Sequence, residues 1–370
     1  MKTIFLNILI LLSLQLAAQH THEHNRLIEF PDIPGYLTLK CDFHQHTVFS
    51  DGSVWPDIRV KEAIRDGLDA ISLTDHIEYQ PHKEDIPHPD RNRSYQVAKE
   101  SAKNHDLLVI NGSEITRSMP PGHANAIFLE DANKLLVDDS IEVFREAKKQ
   151  GAFIFWNHPH WTSQAEDGIA KLTDIHKLLI NEGLLDGIEV VNDVTYSDEA
   201  LQIALDNNLT IMGTSDIHGL IDWQYNVPHG GHRPVTLVFA QERSEKGLKE
   251  GLENRRTAVW FNNTLIGKSE YLVPLIKQCI SVVSSGYKGK TTVMVVTIEN
   301  TSDVDFILKN TSYFTLHRNA DVVTVKAHDL TRLEIKTLEK LNEFKLMFEV
   351  LNAVIAPEKH PEITLEVNVK

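Results

Sequence analysis

The stretch Asp42-Phe43-His44-Gln45-His46-Thr47-Val48-Phe49-Ser50-Asp51-Gly52 follows a short apolar run that reads as a β-strand, and one residue separates its two histidines. Side chains at i and i+2 of a strand point to the same side, so His44 and His46 present two imidazole nitrogens to one point in space. A metal ion requires that arrangement. Across a Ser-Asp-Gly turn, Asp51 supplies a carboxylate able to return to the same place.

Outward from this stretch, short apolar runs alternate with amphipathic segments. Strands are expected over 37–43, 70–74, 107–112, 152–156, 187–191, 210–213 and 234–240, and helices over 57–66, 95–104, 141–150, 173–181 and 198–207. In the first helix Val60, Ala63 and Ile64 form one apolar stripe, with Arg59, Lys61 and Glu62 off it. The alternation implies a parallel sheet or a closed α/β barrel, and residues 36–272 are of ordinary length for one. Functional groups of such barrels gather where the strands end. Here the strand ends carry His44 and His46, then Asp75-His76, then Glu114 with His123 after a Pro-Pro-Gly turn, then His158 and His160, and then Asp216 and His218.

One histidine after a strand is ordinarily a hydrogen-bonded loop residue, and one aspartate a helix cap. Five strand ends of this kind on one rim imply a polynuclear site. Nine donors, namely His44, His46, Asp51, His76, Glu114, His123, His158, Asp216 and His218, exceed the roughly four to six ligands that one ion accepts. Two or three ions are expected.

Two stretches break the alternation. Residues 77–94, with Pro81, Pro87 and Pro89, are too long and proline-rich for an ordinary connection and are expected to form a lid. Residues 221–232, with Trp223, Tyr225 and Gly230-Gly231, read equally as a second pocket wall or as a surface loop. From residue 273 the texture changes to short strands at 291–299, 314–317, 322–327, 333–335, 345–350 and 363–369, which predicts a small all-β, sandwich-like domain over 273–370. It contains no catalytic constellation.

The motifs Asp42-x-His44-x-His46-Thr47, Ser50-Asp51-Gly52, Thr74-Asp75-His76, Glu114 with His123, His158-Pro159 and Ser215-Asp216-x-His218 resemble those of the polymerase and histidinol phosphatase (PHP) family of metal-dependent phosphoesterases, over about residues 40–240. The resemblance implies an α/β fold, a distorted (β/α)7 TIM-like barrel, holding two or three divalent ions of Mn, Zn or Fe. It implies that His44, His46, Glu114 and Asp216 hold one ion, that Glu114, His123 and His158 hold a second with Glu114 bridging, and that Asp51, His76 and His218 hold a third. Asp51 stands where some members have His. With its β-domain the chain is similar to exported bacterial PHP phosphodiesterases.

The implied reaction is in-line hydrolysis of a phosphate ester by metal-bound hydroxide, a diester before a monoester. Asp42 and Asp75 are candidates for carboxylates that orient imidazoles from behind, although each also fits a turn. Arg117 and Arg233 are candidates for gripping phosphoryl oxygens, because guanidinium binds phosphate in a bidentate manner, although an Arg near a loop is more often a solvated charge. His160 and Trp161 are candidates for contacting the leaving group.

Two rival readings remain at this stage. A barrel amidohydrolase acting on C–N or carboxylic ester bonds also opens with His-x-His, but commonly bridges its metals with a strand-end Lys, which none of these strand ends has. The other rival is a non-catalytic metal-containing binding module, disfavoured by the complete donor set.

With 37 basic and 52 acidic residues, the net charge of −15 argues against a nucleic-acid polymer as partner, leaving a small phosphate ester, nucleotides included. Residues 1–19 have one Lys, an apolar run shorter than a membrane span and small residues at its end, the parts of a secretory signal peptide cleaved near Ala18. The protein is thus expected to be exported to the periplasm or beyond. No Cys follows the run closely, so no lipid anchor is expected. His20, His22 and His24 repeat the His-x-His spacing in the N-terminal segment 20–35, where no site is expected. Cys41 and Cys279 are expected to be thiols, not a disulfide.

Overall fold

The computed structural model describes residues 26–369, so the signal-peptide reading and the His20, His22 and His24 run lie outside the described residues. Strands β1 (Leu37–Asp42), β2 (Ala70–Leu73), β3 (Leu108–Ile115), β4 (Ala124–Ile127), β5 (Phe153–Trp156), β6 (Gly187–Asn192), β7 (Thr195–Tyr196), β8 (Thr210–Thr214), β9 (Val235–Ala240), β10 (Thr257–Phe261) and β11 (Thr264–Gly267) build one curled sheet. Helices α1 (Pro56–Asp66), α2 (Arg93–Ala102), α3 (Glu142–Lys149), α4 (Asp174–Asn181), α5 (Asp198–Asp206), the short α6 (Ile221–Gln224), α7 (Glu245–Glu253) and α8 (Ser269–Cys279) connect its strands or follow them.

Helix boundaries follow local chemistry. α1 opens with Pro56, whose missing N–H is not needed there, and stops at Gly67, which takes the left-handed conformation at φ 69°. α4 opens with a Thr173–His176 capping box, and α5 with Ser197 accepting from the Ala200 N–H.

The strand order is β11-β10-β9-β1-β2-β3-β4-β5-β6, with β7 and β8 both beside β6. β8 then comes round to β9 and β10. Side chains tie it there: Thr236 Oγ1 accepts from Gly213 N at 3.0 Å, and Thr257 Oγ1 donates to Ile211 O at 2.8 Å. Gly213 is required at this closure, because a Cβ on it would lie 2.2 Å from Val259 Cγ1. Gly213→Ala is expected to lower the stability of this unit by about 1–3 kcal/mol through overpacking. An unshifted urea midpoint would contradict that reading of the closure.

Phe43, Phe153, Phe155, Met212 and Val238 are fully buried together inside the curl, each contributing roughly 1.5–3 kcal/mol by leaving water. Cys41 is buried in the same cluster, Cys279 lies elsewhere, and both are free thiols.

The sheet is less uniform than the expected run of parallel strands. β4 is antiparallel to both β3 and β5, and β9 is antiparallel to both β1 and β10. The sequence of β4, Ala-Asn-Ala-Ile, has weak intrinsic strand preference and is held extended by ladders on both sides. α7 was hidden by Gly247 and Gly251, poor helix formers that are needed here because a Cβ would meet Glu242 O at 2.3 Å and Val238 Cγ1 at 2.7 Å. α8 was hidden by the internal Pro274.

The remaining strands are β12 (Ile280–Tyr287), β13 (Val293–Asn300), β14 (Phe306–Asn310), β15 (Thr315–Leu316), β16 (Val322–Val325), β17 (Leu330–Lys336), β18 (Glu343–Val350), β19 (Ala353–Val354) and β20 (Glu362–Asn368). Two four-stranded sheets, β12-β13-β17-β15 and β16-β14-β18-β20, face each other. Alternation sets their inner faces, with Met294, Val296 and Ile298 of β13 and Leu346, Phe348 and Val350 of β18 fully buried. α8 runs directly into β12, so the expected boundary at residue 273 falls inside a helix. β19 adds in parallel to β11 and covers an edge that would otherwise be open. One apolar cluster continues from Ile71 and Leu272 to Ile298 and Phe348 across the two units.

Candidate metal centre

All nine expected donors come to one rim. β1 delivers His44 and His46, β2 delivers His76, and β8 delivers Asp216 and His218 just past its end. Glu114 lies within β3, which runs longer than its expected end. His123 immediately precedes β4. An antiparallel strand begins where its parallel neighbours finish, which places His123 on the same rim. His158 and Asp216 both adopt positive φ, 30° and 49°, backbone conformations that non-glycine residues keep mainly where function over-determines them.

The donors converge closely. His44 Nε2 and His46 Nε2 are 3.1 Å apart, and Asp216 Oδ1 is 3.1 Å from each. Glu114 Oε2 lies 3.4 Å from His46 Nε2, 3.6 Å from His44 Nε2 and 2.8 Å from His76 Nδ1. Its other oxygen is 2.9 Å from His123 Nδ1 and 3.5 Å from His158 Nε2. Asp51 meets His218 Nε2 at 3.2 Å and His76 Nε2 at 3.5 Å. Three subsets lie close enough to share an ion: His44, His46 and Glu114; His76, Glu114 and His123; and His46, Asp51, His76 and His218. Relative to the sets implied by the resemblance, His46 and His76 stand between neighbouring positions.

A divalent cation fits this donor set. Glu114 is fully buried, and its Oε2 has no hydrogen-bond partner, although a buried carboxylate oxygen demands one. Burial opposes charge on His76, but Glu114 and Asp51 overcome it and push its pKa up to about 10. Burial likewise opposes charge on His44, yet Asp216, Glu189 and Glu114 raise its pKa well above the usual value. Burial, then His218 and His76, pushes His46 down to about 4. Burial alone would raise Glu114, but His76 and His44 hold it well below the usual carboxylate range. Carboxylates balanced by protonated imidazoles are the arrangement in which a bound cation displaces protons.

The two carboxylates expected to orient imidazoles hydrogen-bond to none directly, although Asp75 holds Ser50 Oγ, which lies 3.3 Å from His46 Nδ1. Asp42 accepts from Ser215 N at 3.1 Å and Ser215 Oγ at 2.6 Å, and so fixes the turn before Asp216. Asp75 accepts from Thr47 N at 2.7 Å, Thr47 Oγ1 at 2.8 Å and Ser50 Oγ at 2.7 Å, and so fixes the turn after His46. The carboxylate behind His44 is Glu189, in the middle of β6. It is fully buried, and its Oε1 accepts from His44 Nδ1 at 2.8 Å while its Oε2 accepts from His158 N at 2.7 Å. A lone carboxylate in Gly187-Ile188-Glu189-Val190-Val191 was the available signal, since a buried charge needs partners.

Arg117 and Arg233 do not reach the site. Arg117 pairs with Glu78 at 2.6 Å and bonds Val137 O. Arg233 is buried against Asp66 at 2.6 Å and Asp42 at 3.2 Å. Besides Glu189, the sequence analysis missed Arg59. From a buried position on α1 it donates to His46 O at 3.0 Å and Ile217 O at 3.1 Å, clamping two ligand-bearing loops.

A cavity of about 430 Å³ opens above the donors. His160 and Trp161 line it, as do Asn192, Asp193, Thr195 and Gln224. The stretch 221–232 thus contributes a wall through Gln224. No residue of 77–94 lines it, which corrects the lid expectation. That stretch folds on itself, with Arg91 donating to Ile77 O at 3.2 Å and His88 O at 3.1 Å. No described residue of the β-domain lines the cavity.

His176 positions His123 from outside the rim. Its Nε2–H donates to Pro121 O at 2.6 Å, holding the Pro120-Pro121-Gly122 turn, while its ring stacks on Trp156. Burial pushes its pKa down to about 4. With the unfolded value near ~6.5, the neutral ring contributes stability in full above about pH 6.5, and this is lost as pH falls toward 4. His176→Gln is expected to flatten the stability profile across that window by on the order of 3 kcal/mol, read from urea midpoints at each pH. Parallel profiles would contradict it.

The PHP domain family matches residues 42–218, and an Ig-like domain family matches residues 280–366. A solved two-domain protein from Bacteroides vulgatus, containing a predicted PHP-like metal-dependent phosphoesterase, is 47% identical. The alignment covers 92% of this chain and 98% of that one, with a TM-score of 0.87. An uncharacterized protein of Methanocaldococcus jannaschii is 39% identical over 236 residues, 62% of this chain and 95% of that protein. The chain belongs to the PHP family, with a barrel-like curled sheet followed by an Ig-like domain.

Proposed function

We propose that the chain is a hydrolase of phosphate esters that depends on two or three divalent ions and favours diesters over monoesters. One observation carries the reading: nine buried or half-buried donors converge at the floor of an open cavity, five of their imidazoles facing the buried Glu114, whose Oε2 accepts no hydrogen bond. His44, His46, Glu114 and Asp216 would hold one ion, with His123 and His158 beside Glu114 and Asp51, His76 and His218 opposite. When bound, the ions supply Lewis acidity and lower the pKa of water.

The chain's own residues do the rest. Glu189 holds the His44 ring with Nε2 facing inward, and Asn192 donates to Glu189 at 2.9 Å and Asp216 at 3.2 Å, keeping that carboxylate aimed at the floor. Trp161 and His160 wall one side against solvent. A water oxygen bonds to phosphorus as the P–O bond to the leaving alcohol breaks and that oxygen takes a proton. Among the described residues no Lys or Arg lines the cavity, so a monoester dianion finds less compensation than a diester monoanion. Residues 1–19 support export of the enzyme.

The metal-loaded protein is to be assayed on bis(p-nitrophenyl) phosphate, p-nitrophenyl phosphate and p-nitrophenyl acetate. The diester is expected to turn over fastest. Acyl hydrolysis without phosphoester turnover would make this an amidohydrolase-type site, and no turnover on any of the three would make it a binding module.

A further inference from the structure

Asp193 is the cavity carboxylate that the metal centre does not use. Asp51, Glu114 and Asp216 each face imidazole nitrogens. Asp193 instead accepts at Oδ1 from Gln224 Nε2 at 2.6 Å. The Tyr225 hydroxyl, whose one proton is shared with Ser215 O at 2.8 Å, lies 3.0 Å from the same oxygen, and among the described residues Asp193 has no ion-pair partner. A neutral amide therefore holds the carboxylate in place, with no cationic side chain paired to it.

Trp161 lines the same cavity, 45% exposed, with its ring 5.1 Å from that of His158. A hydrogen bond of 2.8 Å from His160 Nε2 to Thr195 Oγ1 joins the loop carrying Trp161 to the hairpin carrying Asp193. An indole face and a carboxylate without an ion-pair partner in one cavity, with no Lys or Arg among its described lining residues, are groups that recognise an organic ammonium. A second negative charge on the substrate would instead meet Asp193 and a chain of net charge −15.

Resting on the phosphoesterase reading, we infer that the cavity takes a zwitterionic phosphodiester, one ester arm of which carries an ammonium group seated between Trp161 and Asp193. The phosphate lies over the metal centre and the ammonium arm lies along the outer wall. Hydrolysis releases the other arm as an alcohol and leaves the ammonium-bearing phosphate monoester.

The test compares p-nitrophenyl phosphocholine with p-nitrophenyl 3,3-dimethylbutyl phosphate, which has the same shape and leaving group but no positive charge. With the metal-loaded full chain, the choline ester is expected to have roughly tenfold higher kcat/KM. In Asp193→Asn the ratio of the two is expected to collapse toward one. Equal rates in the wild type, or a ratio retained in Asp193→Asn, would overturn the subsite while the phosphoesterase reading stood. If neither ester is hydrolysed, turnover of bis(p-nitrophenyl) phosphate decides the phosphoesterase reading separately, and calorimetric titration with phosphocholine and 3,3-dimethylbutyl phosphate decides the subsite. Tighter phosphocholine binding supports it, and equal or weaker binding overturns it.

Discussion

Glu114→Gln is expected to reduce diester turnover by about a thousandfold and to lower the bound metal per chain. Glutamine keeps the volume and shape of the side chain, so the buried floor stays filled. It removes the charge that His44, His46, His76, His123 and His158 all face, four of them at 3.5 Å or less and His44 at 3.6 Å. One amide nitrogen must then point at an imidazole nitrogen instead of an ion. Losing several kcal/mol of charge stabilisation corresponds to that rate change at about 1.36 kcal/mol per decade. Metal analysis beside kcat, with circular dichroism to show an intact fold, checks it. A variant that keeps both its metal and its rate would remove Glu114 from the centre of the account.

Glu189→Gln is expected to weaken metal affinity or activity by about 10–100-fold. Four donors converge on its two oxygens: His44 Nδ1 and Thr214 Oγ1 on one, His158 N and Asn192 Nδ2 on the other. Glutamine has one acceptor oxygen, so whichever way it turns, two of these donors meet an NH2 group. Either His44 loses the partner that fixes its tautomer, or the His158 backbone loses its anchor. The effect should appear chiefly as a higher metal concentration for half-maximal activity, with much of kcat recovered at saturation. A metal titration curve superimposable on that of the wild type would show that Glu189 only fills space.

The rim was legible in the sequence because strand-end chemistry is local. His44, His76, Asp216 and their companions sit beside short apolar runs, and the i, i+2 rule alone aims the first pair. What escaped depends on partners distant in sequence. Arg59 looks like a solvated helix residue until Glu62 and the carbonyls of His46 and Ile217 close around it. Arg233 looks like a phosphate ligand until Asp66, far away along the chain, claims its guanidinium. β4 and α7 escaped because Ala124, Asn125, Gly247 and Gly251 are chosen for close packing and pairing, against their own local preferences.

The central claim, that these nine residues form a metal centre that hydrolyses phosphate esters, is tested most directly by stripping the purified chain with a chelator and restoring Mn²⁺, Zn²⁺ or Fe²⁺ stepwise while following bis(p-nitrophenyl) phosphate hydrolysis. No turnover is expected in the stripped protein, with recovery to a plateau at two to three ions per chain that is abolished in Glu114→Gln. Full turnover in the stripped protein, or saturation without any phosphoester hydrolysis, would contradict it.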